Sequence, residues 1–130
     1  MGKEVSKLKP MNDQFSALIL AKPGQRRESV RVLLTAIQHT ATVCVTHDWQ
    51  AAQTTGFTPN LIVLDLDLPA QEQLTLLGRV KAEWPQASAL VFVNDEVEKA
   101  LLSTGAEAVL IRGVKADKLL AKLESLLTTP

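Results

Sequence analysis

The stretch "NLIVLDLDLP" at residues 60–69 holds the residues best placed to do chemistry. Four apolar side chains, β-branched in the middle, lead into a carboxylate at Asp65 and a second at Asp67 before Pro69 stops the run. An apolar run of that length between turn residues reads as a strand buried on both faces. The carboxyl end of a parallel strand is where open α/β sheets place ligands and chemistry, so an acid there is a candidate for binding or catalysis. The simpler reading is an ordinary solvated residue at a strand exit. An isolated Asp-x-Asp leaves both readings open.

Other constellations offer less. His39 and His47 fall at a helix end and a strand end, and with Cys44 they lack metal-ligand spacing. Cys44 lies within "ATVCVT", where a small buried hydrophobe is the simpler reading than a nucleophile. Being the sole cysteine, it excludes an internal disulfide and fits a reducing cytoplasm. No Gly-x-Ser-x-Gly context anchors hydrolase chemistry, and no phosphate-binding glycine loop follows the first apolar run. "KPGQRRE" puts Arg26 and Arg27 at a helix N-terminus, where they can attract an anion or simply form a solvated helix face.

The elements that must position Asp65 alternate regularly. "SALILA" (16–21) reads as a strand, punctuated by Pro23 and Gly24, and Val30, Leu33, Leu34 and Ile37 then recur at helical spacing. "ATVCVT" (41–46) is a second strand, followed by a short helix that Asp48 can cap and Gly56 can end. After "LIVLD" a helix runs through Leu74, Leu77 and Val80 to "EWP", because Pro85 disfavours helix at the residue before it. "ALVFV" (89–93) is the fourth strand, "DEVEKALLSTG" a helix of at most about three turns closed by Gly105, and "AVLI" (108–111) the fifth strand. Leu119, Leu120, Leu123, Leu126 and Leu127 mark the last helix. Trp49 and Trp84 are expected to pack partly against helices with their N–H groups outward.

Strands alternating with helices imply right-handed crossovers and a parallel sheet covered on both faces, a three-layer α/β/α sandwich. At 130 residues the chain is one domain by size, and its 46% hydrophobic content is that of a globular protein. Fourteen basic and fourteen acidic residues cancel, so the chain as a whole gives no electrostatic case for nucleic acid. Residues 1–14 read as a flexible lead-in, 15–128 as the domain, and 129–130 as a tail or the start of a linker. The lead-in lacks the apolar core of a signal peptide, and no segment has the length of a membrane span. "MGKEVS" matches the short N-myristoylation pattern, one with many chance matches, and Met11 is an equally good native start. No membrane association is expected.

In this order the elements resemble the receiver domain of two-component response regulators, a flavodoxin-like fold with strand order 2-1-3-4-5. "PNLIVLDLDLP" is similar to that family's third-strand signature, and "GAEAVLIRG" to its segment around the fifth strand; the likeness covers residues 16–127. The resemblance puts Asp65 at the position that accepts a phosphoryl group from a histidine kinase. It puts Ala21 and Lys22 where receivers carry two acids that hold Mg²⁺, Asn94 where they carry Ser or Thr, Arg112 in place of Lys and Gly113 in place of Pro. Asp95 follows Asn94, and Val109 stands at a position that is aromatic in many receivers. The segment between the fourth and fifth strands looks about one helical turn short.

Phosphoryl transfer gathers negative oxygens that Mg²⁺ makes tolerable, and Mg²⁺ takes oxygen ligands. Ala21 offers none and Lys22 is a cation, so the resemblance implies a receiver without its metal, with no cofactor expected. Lys22 beside Asp65 would stabilise the ionised carboxylate, and Arg112 would add a planar donor set. Together they would neutralise a cluster of Asp65, Asp67 and Asp95. Lys22 and Arg112 as plain surface cations are the competing reading.

The expectation is therefore a cytoplasmic, non-enzymatic, atypical receiver acting mainly as a protein-interaction module, with reduced or lost phosphorylation. Its partners would be a histidine kinase or another signalling protein, with a homodimer through the fourth helix, fifth strand and fifth helix. An output domain beyond Pro130 is compatible, and no direct nucleic-acid binding is expected. The alternative is a phosphorylation-competent receiver using Asp65, with Mg²⁺ held by Asp67 or Asp95. A flavodoxin-like small-molecule-binding domain is third.

Overall fold

The computed structural model describes residues 15–37, 42–54, 56, 58–103 and 105–128. The lead-in at 1–14, the tail at 129–130 and His39 lie outside the described residues. The elements run β1 (Ser16–Ala21), α1 (Gln25–Ile37), β2 (Thr42–Thr46), α2 (Trp49–Gln53), β3 (Leu61–Asp65), α3 (Ala70–Glu83), β4 (Ser88–Val93), α4 (Glu96–Leu102), β5 (Ala108–Ile111) and α5 (Ala116–Thr128). Neighbouring strands all pair in parallel, in the order β2-β1-β3-β4-β5. This is the doubly wound architecture and strand order expected from the sequence.

The period-2 alternation of strand side chains splits the core into two layers. On one face Leu18, Leu20, Ile62, Leu64, Val91 and Val93 pack with Ala52 of α2, Leu77 and Val80 of α3, and Leu102 of α4. On the other, Ala17, Ile19, Leu61, Val63, Leu90, Phe92 and Leu110 pack with Val30 and Leu34 of α1 and Leu119 and Leu123 of α5. Each fully buried Leu, Ile, Val or Phe contributes about 1.5–3 kcal/mol of hydrophobic stabilisation. β2 departs from the expectation of a buried strand, since none of its residues is fully buried. It is an edge strand beside the five-residue α2, so Cys44 is half-buried.

The helix punctuation follows the local chemistry. Asp48 caps α2 by accepting from the Gln50 N–H at 3.1 Å, and α3 stops at Trp84, the residue before Pro85. Trp84 packs edge-on against Trp49, with ring centroids 5.7 Å apart, so the two tryptophans pair with each other across the ends of α2 and α3. α4 is only seven residues long. Gly105 does not close it through a left-handed turn, because positive φ angles among the described glycines belong to Gly24, Gly56 and Gly113. A Cβ at Gly105 would come within 3.0 Å of the Leu77 Cδ2, so this glycine lets the end of α4 approach α3.

The amino ends of β4 and β5 are pinned by Glu107. Its carboxylate accepts from the Ala89 N–H at 2.8 Å and from Lys81 Nζ at 3.0 and 3.1 Å, and Lys81 also donates to the Ala87 carbonyl at 2.7 Å. Partial burial pushes the Glu107 carboxyl up, but these bonds outweigh it and hold the group below its ordinary value of 4.5. A carboxyl lowered in the folded state adds stability that is present above the unfolded value and lost as pH falls through the folded one. Urea unfolding at a series of pH values should show wild type losing stability below about pH 4.5 more steeply than Glu107→Gln.

Candidate functional site

Alternation along the strands decides which side chains meet at their carboxyl ends. Asp65 continues the Leu61–Val63 face, the one covered by α1 and α5. The same parity carries Ala21 at the end of β1, Asn94 just past β4 and Arg112 just past β5. Four neighbouring strands thus deliver one residue each to the same corner. Directly across the β1–β3 ladder from Asp65 stands Ala21, not Lys22.

Asp65 is 5% exposed, one of two buried polar side chains among the described residues. Burying an unpaired carboxylate is strongly unfavourable, so it must be paired and hydrogen-bonded. Two guanidinium groups do this. Arg112 Nε donates to Asp65 Oδ1 at 2.9 Å, and Arg26 Nε donates to Oδ2. The remaining nitrogens of Arg112 are also placed: Nη2 donates to the Leu66 carbonyl at 2.7 Å and Nη1 to Asn94 Oδ1. One planar fork therefore ties the end of β3 to the residue following β4. A lysine could not form this set, since its ammonium is a compact point charge without the guanidinium's planar fork. Gly113, with φ at +91°, turns the chain immediately afterwards in a conformation that favours glycine.

The ion pair expected from Lys22 is not formed. Among the described residues Asp65 pairs with Arg26 and Arg112, because β1 ends with Ala21 in register with Asp65 and Lys22 lies one residue into the exposed turn. Arg26 takes its place, reaching down from the first turn of α1 with half of its side chain exposed. The sequence signal for it was "KPGQRRE", where a helix N-terminus follows a short turn from β1. Asp95 is not part of the cluster either. It caps α4, accepting from the Glu98 N–H at 3.0 Å. Asp67 is peripheral, 65% exposed and 3.8 Å from Arg112 Nη1. Arg27 anchors the turn by donating to the Ala21 carbonyl at 3.1 Å. Lys22, Asp65, Asp67, Asn94 and Arg112 do line one cleft of about 330 Å³, together with Arg26 and Arg27. Among the described residues no three His, Cys, Asp or Glu side chains gather closely enough to hold a metal ion.

The two arginines should differ in energetic weight. Arg112 is 13% exposed and uses each of its three nitrogens in a hydrogen bond, so Arg112→Ala should destabilise by roughly 2–4 kcal/mol, leaving a buried carboxylate short of donors. Arg26→Ala, at a half-exposed position, should cost about 0–1 kcal/mol. Urea midpoints of the two variants give this order, and equal losses would contradict it.

No protein-family model matches the chain, and no curated protein matches it. Solved structures do. A response regulator from Thermotoga maritima superposes with a TM-score of 0.76 at 17% identity, over 89% of this chain and 99% of that one. A CheY-like receiver domain protein from Methanospirillum hungatei JF-1 gives 0.68 at 21% identity, over 87% and 94%. A beryllofluoride-activated receiver domain, DrrB, gives 0.71 at 15% identity, over 89% and 99%. With its all-parallel sheet in the order β2-β1-β3-β4-β5, this chain has the fold of the CheY-like receiver domains of response regulators.

Proposed function

We propose that the chain is a receiver-type signalling module in which a fixed charge clamp replaces the metal-dependent aspartyl switch. The observation that carries this reading is that each oxygen of Asp65 accepts from a guanidinium. A carboxylate that accepts a phosphoryl group needs one oxygen free to attack phosphorus and a cation to gather the charge that develops. Here the two oxygens are engaged, and the cations beside them are covalently part of the protein. The residues do not fit Mg²⁺, which takes oxygen ligands in octahedral geometry. Ala21 supplies none, Asp95 is committed to capping α4 and Asp67 points largely to solvent.

On this reading the domain is a cytoplasmic, non-enzymatic protein that works by contact. The surface best suited to a signalling partner or a second copy is formed by α4, β5 and α5. Val97 and Leu101, one helical turn apart on α4, are 77% and 45% exposed. On the other side of α4, towards β5 and α5, lies a separate groove of about 530 Å³ whose lining includes Lys99, Lys118 and Lys122. The exposed apolar pair suits an apolar contact, and the lysine-lined groove suits an acidic one.

The clamp is tested with acetyl phosphate and beryllofluoride over a range of Mg²⁺ concentrations, read by intact mass and amide spectra. Wild type should show no adduct and no metal-dependent spectral change. Restoring two acids with Ala21→Asp and Lys22→Asp, and opening the site with Arg26→Ala, should create a Mg²⁺-dependent response that Asp65→Asn abolishes. A Mg²⁺-dependent adduct on wild-type Asp65 would instead support a phosphorylation-competent receiver.

A further inference from the structure

We infer that the cleft between the β1–α1 turn and the carboxyl ends of β3, β4 and β5 binds a small phosphate-type oxyanion without forming a covalent bond to it. The inference rests on the clamped reading of Asp65 and adds the ligand class of the same site. The cleft takes an anion where a metal-dependent site would take a cation.

Charge is the first reason. Lys22, Arg26, Arg27 and Arg112 line the cleft against Asp65 and Asp67, leaving two positive charges in excess. Asp65 is already engaged by Arg26 and Arg112, and Asp67 lies 3.8 Å from Arg112, at the edge of ion-pair range. Neither acid holds Lys22 or Arg27: among the described residues no ion pair forms to either cation.

Unused donors are the second reason. Arg27 spends Nη1 on the Ala21 carbonyl at 3.1 Å, and its buried Nε has no hydrogen-bond partner in the protein. That nitrogen is enclosed, so an anion in the cleft would engage it only after a small shift of the side chain. The amides of Gln25, Arg26 and Arg27 precede the helical ladder, whose first bond runs from the Glu28 N–H to the Gly24 carbonyl at 3.2 Å. Gly24 has no side chain with which to cap them. The thirteen-residue α1 therefore adds its positive end to the four side chains.

Size and shape agree with the charge. At about 330 Å³ the cleft falls at the lower end of small-ligand pockets. A doubly charged tetrahedral oxyanion offers several acceptors to guanidinium, ammonium and amide donors converging from different directions, and it cancels the excess charge. A monocarboxylate would cancel only half of it.

The test uses the full chain, isotope-labelled, in metal-free buffer of low ionic strength. It is titrated with inorganic phosphate and with pyrophosphate, and with acetate as the control. Saturable amide shifts centred on Gly24 to Arg27 are expected, with pyrophosphate tighter than phosphate and acetate without effect, and binding should weaken as sodium chloride is raised. Lys22→Ala, at an exposed position, should weaken binding roughly tenfold, and Arg27→Gln likewise, while Lys115→Ala on the exposed surface leaves it unchanged. Shifts that are absent, scattered over surface lysines, or unchanged in both cleft variants overturn the inference. Because no metal or phosphoryl donor is present, that failure is separate from failure of the clamp, which a covalent adduct on Asp65 would reveal by mass.

Discussion

The arrangement at the top of the sheet depends on one buried carboxylate. Asp65 sits at the end of the central strand, 5% exposed, where an ionised group is tolerated only with charged partners and full hydrogen bonding. Arg112 meets that demand from β5 and Arg26 from α1. In doing so they join the two ends of the face that α1 and α5 cover. The core below would form without this pair, since it is apolar on both sheet faces. What the pair decides is how the strand ends and the loops after them are held.

The partners differ in kind. Arg112 is nearly enclosed and spends three nitrogens on Asp65, Asn94 and Leu66, so its position is over-determined. Arg26 is half exposed and holds Asp65 through one nitrogen from the first turn of α1. An enclosed inner arginine and a half-exposed outer one make a clamp with one buried and one solvent-facing jaw. That outer jaw also faces the cleft that carries the unspent positive charge.

The fold was legible because each strand is a short apolar run and the longer helices are amphipathic repeats, with turn residues between them. Strand order came with the resemblance, whose motifs at Asp65 and around β5 lie far apart in the chain. The site was legible in part. Asp65 and Arg112 could be matched to motif positions, but which cation near β1 reaches Asp65 is a matter of register. Ala21 pairs with Asp65 across the ladder, and that one-residue phase turns the side chain after it off the clamp and leaves the task to Arg26, one turn into α1. Asp95 was misjudged for a similar reason. An Asp immediately before a helix is claimed by the helix N-terminus before any more distant cluster can use it. Gly105 was correctly expected just past the end of α4, but it makes no left-handed turn there, and its position is marked instead by a tight approach to the Leu77 side chain.

The clamp also reaches the surface proposed for partners, through Asn94. Its side-chain oxygen accepts from Arg112, and its backbone N–H donates to Glu98 Oε1 at 2.7 Å, in the first turn of α4. Glu98 in turn donates its own N–H to the capping Asp95. The start of α4 is therefore held by a short chain of hydrogen bonds that begins at Asp65, passes through Arg112 and ends at the helix bearing Val97 and Leu101. A ligand changes a conformational balance only by its differential affinity for the two states. An anion in the cleft would draw on the same guanidinium that holds Asn94, so it has a physical route by which to reseat α4. On the proposed reading, the strand ends and the contact face are connected through the hydrogen bonds of one arginine.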